Sequence, residues 1–491
     1  MNKHMLWLAA ICLSLFAFAA CSDGEDTPDP NPGPTEKTTN DWIYETMLEN
    51  YLWYDEIEKK GKEGYNFNLE PDEFFESLLS KKDGLWQGTG GYNFYFSYIE
   101  KKRTKSKSIS DLDPTYGFDY IVYSVTDNSG KYLGYDWARI LYVLPNSPAS
   151  EAGIKRGDFI LGFDGKDNNL TDYTLLEEGN GATFTIGGLK WSEQTKAYQI
   201  AITGTTAISK ARLTANNPLF LDSVYHINGN KIGYLVYNHF SSGPEDSNDG
   251  SYDKEMKTIF TNFKAEGVNE FVLDLRYNGG GLVSCARTLA SCLAPANDLT
   301  SGKTFCKMMH NSKKSKEDYT YPFDKSLTSS NLDLKRVYVL TGRWTASSSE
   351  AVINALKPFM EVVLIGSQTI GKAVGSVTYG EKEDKYDWLM HPIILRICNA
   401  NDDANYSQVG FKPDIAKEEI KPPFILYYDL GDTNEALLAT ALAKINGTSK
   451  ASAPELRTAE SMPTLEPVYS SVGRHVPQGL IFDEKMLETA K

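Results

Sequence analysis

At 491 residues the chain is longer than one ordinary core encloses, and its length predicts roughly two to four domains. Hydrophobic residues make up 41% and charged residues 23%, a globular composition rich in Tyr and Phe. The formal net charge of −15 argues against nucleic acid as a partner, since a polyanion needs a basic surface.

Lys3 precedes an apolar run from Met5 to Ala20 that ends in "AFAAC", with Cys21 last. The run is too short for a confident membrane span and has the shape of a secretion signal. Its small-small-Cys ending resembles the bacterial lipoprotein box, although Phe18 stands where Leu is usual. The resemblance implies a lipoprotein signal peptide at residues 1–20, lipidation of Cys21 and attachment to a membrane through the N-terminal lipid. Plain signal-peptidase cleavage is the alternative. Loss of Lys3 with the signal would take the charge from −15 to −16. No second segment is long and apolar enough to span a bilayer.

Residues 21–40 read as a disordered tether, because "SDGEDTPDPNPGPTEKTTN" carries four prolines and little apolar surface. Its acidic start resembles the surface-export signals of Bacteroidetes lipoproteins. That likeness implies a cell-envelope protein at the outer membrane, on the periplasmic face or at the cell surface.

Residues 41–108 are expected to form a helical N-terminal domain. Ile43, Met47, Tyr51 and Tyr54 recur at helical spacing, and a second helix opens at Pro71 and buries Phe74, Phe75, Leu78 and Leu79. Packing is the role expected of this segment, and "KKRTKSKS" (Lys101–Ser108) is a basic link.

Strands dominate residues 110–208. "ILYVLPNSPASEAGIKRGDFILGFDG" reads as a strand (Ile140–Leu144), a turn, a short helix ending at Gly153, and Gly157-Asp158 leading into another strand. The pattern resembles the PDZ signature. It implies that "YGFDY" supplies the carboxylate-binding loop and edge strand of a peptide groove, with Tyr116, Gly117, Phe118 and Asp119 holding the free C-terminus of a protein or peptide substrate. A β-rich spacer is the alternative.

Residues 213–446 alternate strands and helices. "KIGYLVYNHF", "EFVLDLR", "RVYVLTG" and "EVVLIG" are compact apolar runs of the kind that build a sheet buried on both faces. A last helix, Thr433–Ile445, follows Asp432 as its cap. The tail, residues 447–491, is polar, Pro-interrupted and without evident chemistry. Cys285 and Cys292 lie seven apart in a predicted helix, roughly 10 Å along its axis, too far to bridge each other. Cys306 and Cys398 complete the body cysteines. No CxxC or HExxH pattern occurs, so neither a metal site nor a cofactor is expected.

Three loops follow strands of this region. "YNGGG" (Tyr277–Gly281) lets the backbone turn sharply and aim N–H groups at an anionic oxygen. It lacks the Gly-Lys-Ser/Thr ending of a phosphate-binding loop. "RWTASSSE" precedes a helix, and Ser347 with Glu350 fits a capping box. "SQTIGKAVGS" places Lys372 between Gly371 and Ala373, where a desolvated amine can serve as a base.

In this order behind a PDZ-like segment, "LDLRxNxGG", "TASxSE" and "GxxTxGK" resemble the C-terminal-processing (tail-specific) serine peptidases, and the likeness runs from about Asp41 to Ile445. In that family the nucleophile is the first serine after the Ala, with a lysine twenty-five positions on. Those positions are Ser347 and Lys372. The resemblance implies an oxyanion hole from Gly280 or Gly281 with the Ser348 N–H, support from Glu350, and a strand at "GFKPDI" (Gly410–Ile415). Ser376 stands where the family often has Gln, and is expected to accept a hydrogen bond from the lysine. The fold implied is multidomain α/β: an N-terminal helical segment, a PDZ-like β-rich domain and an α/β peptidase core of crotonase-like or ClpP-like type. A serine endopeptidase is the expected activity. The rivals are an inactive peptide-binding scaffold, a Ser/His hydrolase using His239 or His391, and a hydratase of crotonase-like fold.

Overall fold

The apolar spacing after Thr38 folds into α1 (Thr39–Asn50), α2 (Tyr54–Lys60) and α3 (Pro71–Ser77). Pro71 occupies the first turn of α3, where its missing N–H has no helical partner to lose. Phe74, Phe75 and Leu78 are buried, and Leu79 is half-buried. The computed structural model describes residues 38–85, 94–102, 114–127, 129–194, 196–244, 249–380, 385–419, 427–448 and 463–475. The expected signal peptide, the tether up to residue 37, Cys21 and most of the basic link lie outside them.

The N-terminal segment is not purely helical. Strands β1 (Gly84–Leu85), β2 (Phe94–Tyr95) and β3 (Tyr98–Lys101) follow α3, and β3 pairs antiparallel with a later strand at Trp388–His391. This segment is therefore stitched into the core rather than standing beside it.

A β-rich unit comes next: β4 (Phe118–Thr126), β5 (Tyr132–Val143), α4 (Pro148–Glu151), β6 (Phe159–Phe163), β7 (Ala182–Ser192) and β8 (Ala197–Ile208). Ser147 and Ser150 form a reciprocal capping box at α4, and Gly153 ends the helical turn at φ 75°. One expectation fails here. β4 is not an edge strand, because the last strand among the described residues, Thr464–Ser470, pairs antiparallel along it.

The α/β core is built from β9 (Leu219–Ile227), β10 (Asn230–Tyr237), α5 (Ser251–Glu266), β11 (Glu270–Asp274), α6 (Val283–Leu293), α7 (Ala296–Ser301), β12 (Thr304–His310), β13 (Tyr319–Pro322), β14 (Arg336–Thr341), α8 (Ser348–Leu356), β15 (Glu361–Gly366), β16 (Val374–Ser376), β17 (Trp388–His391), β18 (Ile393–Cys398), β19 (Ile415–Ala416) and α9 (Ala436–Ile445). The tail contributes β20 (Thr464–Ser470). One sheet runs β19-β15-β14-β11-β10-β9, parallel except at the β9 edge. Alternate residues enter two cores: Leu235, Leu273, Val339 and Leu364 face α6 and α8, whereas Tyr234, Val272, Tyr338 and Ile365 face α9. Burial on both faces is why these strands read as unbroken apolar runs. A second sheet runs β13-β12-β18-β16.

The last core helix starts three residues later than expected. Glu435, not Asp432, caps α9, accepting the Leu437 and Leu438 amides at 3.2 and 3.0 Å. The same carboxylate meets Arg276, which also binds Asp274 and Glu419. Arg156 of the β-rich unit joins this buried cluster through Glu419 and donates to the Tyr277 hydroxyl at 2.7 Å. Cys285, Cys292, Cys306 and Cys398 are buried free thiols.

Candidate active site

β11, β14 and β15 are neighbours in a parallel sheet, so the loops leaving their C-terminal ends meet at one place, where open α/β sheets bind ligands. Those loops carry "YNGGG", "RWTASSSE" and "SQTIGKAVGS". Asn278 fastens the first two. Its side chain donates to Tyr237 O at 2.8 Å, and its carbonyl accepts the Ala346 amide and the Ser349 hydroxyl at 3.2 and 3.0 Å. The Ser348 hydroxyl donates to Gly281 O at 2.7 Å. The second and third serines thus tie the glycine loop to the start of α8.

Ser347 behaves differently. It sits at φ 60°, in the left-handed region that residues with a side chain rarely adopt. Glu350 accepts its amide at 2.9 Å, in the reciprocal arrangement with Ser347 that the capping pattern predicts. Ser347 Oγ is buried and makes no close hydrogen bond among the described residues. Gly280 lies directly against it: a Cβ there would come within 2.8 Å of the Ser347 Cβ, so only glycine fits.

The two glycine candidates for an oxyanion donor are not equivalent. The Gly280 N–H is already given to Asn278 Oδ1 at 2.9 Å. Phe240 brackets the loop, donating to Gly280 O at 2.9 Å and accepting from Leu282 N at 2.8 Å. That leaves the Gly281 N–H, together with the Ser348 N–H at the first turn of α8, without a partner among the described residues. The helix N-terminus adds a positive potential there.

Glu350 organises the third loop. Its Oε2 accepts the Lys372 amide at 2.8 Å as well as the Ser347 amide, so both backbones converge on one oxygen. Its Oε1 accepts the Gly371 amide at 2.7 Å and the Thr369 hydroxyl at 2.5 Å. Thr369 Oγ1 in turn accepts from Phe411 N of "GFKPDI" at 2.7 Å. Burial pushes the Glu350 carboxyl up to about 7, against four donors that favour its charged form.

Lys372 is 1% exposed, with Nζ 5.3 Å from the centre of the Phe96 ring. Burial brings its pKa down to about 7, while the carboxylates of Asp83 and Glu350 act in the opposite sense. Asp83 and Phe96 come from the N-terminal segment, whose role reads from sequence as packing alone. A non-periodic Asp next to a glycine was the only local signal. Ser376 lies on β16 just beyond Lys372, but its hydroxyl makes no hydrogen bond among the described residues, so the expected support for the lysine is not seen.

The other candidates lie elsewhere. His391 is on β17, stacked on Tyr98 at 4.1 Å and 3.1 Å from Thr378 Oγ1; burial brings its pKa down to about 4. His239 immediately precedes Phe240, beside the glycine loop. Tyr116, Gly117, Phe118 and Asp119 sit in the β-rich unit, where Ser471 after β20 donates to Asp119 Oδ1 at 2.5 Å and accepts the Tyr120 amide at 2.8 Å. Cys21 lies outside the described residues. Among the described residues no cluster of three metal-ligating side chains occurs, and no helix is long and apolar enough to cross a membrane.

Comparison with known proteins gives a consistent family. The model described as Peptidase family S41 matches residues 231–416, and that described as Peptidase S41 N-terminal domain matches residues 38–98. The crystal structure of a Bacteroides fragilis protein described as an S41 protease is 31% identical with a TM-score of 0.71, covering 85% of this chain and 99% of that one. A carboxyl-terminal-processing protease of Picosynechococcus sp. is 29% identical over 243 residues, 49% of this chain and 51% of its own. The carboxy-terminal processing protease CtpA of Bacillus subtilis is 26% identical over 291 residues, 59% of this chain and 54% of its own. The chain spans about half the length of these curated relatives.

Proposed function

The chain belongs to peptidase family S41, a family of serine peptidases, and from that premise we propose that it is an endopeptidase in which Ser347 and Lys372 form the catalytic dyad. The observation that carries the assignment is the single Glu350 oxygen accepting both the Ser347 and the Lys372 amides. Ser347 Oγ attacks the substrate carbonyl and passes its proton to Lys372 Nζ. The carbonyl electrons collect on an oxygen held by the Gly281 and Ser348 N–H groups. The Lys372 ammonium then protonates the leaving amine, and the acyl ester remains on Ser347. Water, deprotonated by the same amine, releases the second product. Two features already described favour this reading: a strained, unpartnered Ser347 hydroxyl and a lysine whose burial brings its pKa near neutrality.

The test is a fluorophosphonate probe followed by peptide mapping. Label on Ser347, lost in Ser347→Ala and in Lys372→Arg, is expected; activity or labelling retained in Lys372→Arg overturns the dyad.

The substrate is taken to be a protein presented by its C-terminal end, with the β-rich unit acting as a PDZ-like domain. The loop Tyr116–Asp119 and β4 would bind that end by strand addition. β20 runs antiparallel to β4, with Ser470 opposite Ile121 and therefore with its C-terminal end toward Gly117. It occupies the position and direction such a ligand would take, so a ligand pairs with β4 only in exchange for β20. Equal affinity for free-carboxylate and C-terminally amidated peptides would reject this part. The "AFAAC" signal supports secretion and lipid anchoring through Cys21 at the outer membrane.

A further inference from the structure

The geometry points to Asp83 as a positioning residue for the reaction, the counter-ion that holds the Lys372 ammonium once the lysine has taken the Ser347 proton. The inference rests on the reading of Lys372 as the base.

Asp83 is wholly buried in the turn between α3 and β1. Its Oδ2 accepts from the Tyr51 hydroxyl at 2.8 Å, and its Oδ1 from the amides of Phe96 and Ser97 at 3.2 and 3.1 Å. The Tyr51 hydroxyl itself accepts the Ser80 amide at 3.0 Å, which points its proton at Asp83. The two amides can only donate, and the Ser97 and Tyr51 hydroxyls also favour the charged carboxylate. Burial raises the Asp83 pKa, and Ser97, Tyr51 and Lys372 oppose that rise.

The placement relative to Lys372 is fixed from several sides. Phe96, whose amide binds Asp83, lays its ring 5.3 Å from Lys372 Nζ. Gln408 bridges the residues just before each partner, donating from Nε2 to Lys82 O and from its amide to Gly371 O, both at 2.7 Å. The Ile393 amide donates to Ser97 Oγ at 2.8 Å, and Ile393 belongs to β18, the neighbour of β16 that follows Lys372.

Among the described residues two carboxylates act electrostatically on the amine, Asp83 from the N-terminal segment and Glu350 from α8. Glu350 is occupied: three backbone amides and the Thr369 hydroxyl fill both its oxygens. Ser376 offers no observed bond. Among the described residues Asp83 is therefore the anion available to the ammonium, and it does for lysine what the buried Asp of a Ser-His-Asp triad does for imidazolium. In the acylation step the proton moves from Ser347 Oγ to Lys372 Nζ and Asp83 stays charged, so no proton is left over.

The measurement is the pH dependence of kcat/KM for Asp83→Asn and Tyr51→Phe, with thermal unfolding run in parallel. A negative charge at Asp83 favours the ammonium, so removing it lowers the Lys372 pKa. The midpoint of the rising limb should move to lower pH by about one unit or more in Asp83→Asn. The plateau should fall about tenfold or more, because the ammonium loses its counter-ion. Tyr51→Phe removes one donor, lets Asp83 take up a proton more readily, and should move the midpoint the same way by less. A purely structural role would lower the unfolding temperature and leave the midpoint at its wild-type value. An unmoved midpoint in folded Asp83→Asn overturns the inference, and so does one in Tyr51→Phe should Asp83→Asn not fold. Failure of the dyad is distinguishable, since Lys372→Arg would then remain active.

Discussion

Three adjacent serines open α8, and a single backbone angle separates their chemistry. Ser348 and Ser349 give their hydroxyls to Gly281 O and Asn278 O, while Ser347, at φ 60°, keeps its Oγ without a close hydrogen bond among the described residues. Ser347→Ala should reduce peptidase turnover by about 10⁴-fold or more while the protein stays folded. Ser349→Ala loses one ordinary hydrogen bond and should cost no more than about tenfold. The base is tested by pH. A lysine must be neutral to accept a proton, so kcat/KM should rise with pH through about 7, the value to which burial brings Lys372. Lys372→Arg should be inactive throughout, because guanidinium does not deprotonate in this range. His391, brought down to about 4 by burial, titrates well below that limb, and His391→Gln and His239→Gln should leave it in place. A limb that vanishes in either histidine variant would transfer the role of base.

Helix α9 and strand β20 show how elements far apart in sequence complete the molecule. Glu435 caps α9 and also neutralises Arg276, which the sheet buries at 1% side-chain exposure. Glu435→Ala removes both contributions at once and should lower unfolding free energy by about 3 kcal/mol or more, read from the urea midpoint. Glu419, though buried, is held down to about 2 by Arg276 and Arg156, so the cluster keeps that carboxylate charged across the physiological range. β20 has a different character. Apart from Leu465 and Ser470, its residues are half-buried or exposed, and it is held chiefly by the β4 ladder and by Ser471. Chain ending at residue 462 should bind free-carboxylate peptides more tightly than the full chain, with calorimetry as the measure. An unchanged affinity would mean that β20 and the ligand do not compete. Gly473 packs against the Trp344 ring, three residues before Ser347, so the segment that covers β4 also touches the loop that carries Ser347.

For the molecule as a whole, the N-terminal segment, the β-rich unit and the α/β core all bear on one site. The first brings Asp83 and Phe96 toward Lys372, the second sends Arg156 to Tyr277 of the glycine loop, and the third carries Ser347 and Lys372, the proposed dyad. The proposed cellular placement rests on the N-terminal run ending in "AFAAC". Cys21→Ser should move the protein from the membrane fraction to the soluble secreted fraction, measured by fractionation and immunoblotting; continued membrane partition would remove lipidation as the cause.

By itself the sequence determined the elements whose signals are local. The apolar runs of β10, β11, β14 and β15, Pro71 at the start of α3 and Gly153 at the end of α4 all act within a few residues of themselves. The resemblance carried by the three loop motifs likewise grouped Ser347, Lys372, Glu350 and the glycine loop in advance. Only the tertiary structure decided which glycine N–H stays open, because Asn278 takes that of Gly280 through a turn that spacing does not specify. Only it showed Phe96 joining Asp83 to the surroundings of Lys372, Glu435 displacing Asp432 as a cap, and a polar tail becoming β20 on the strand expected to be an open edge. A buried charge finds its partner, and a strand its neighbour, through contacts distant in the chain, and such pairings leave no periodicity in the sequence to read.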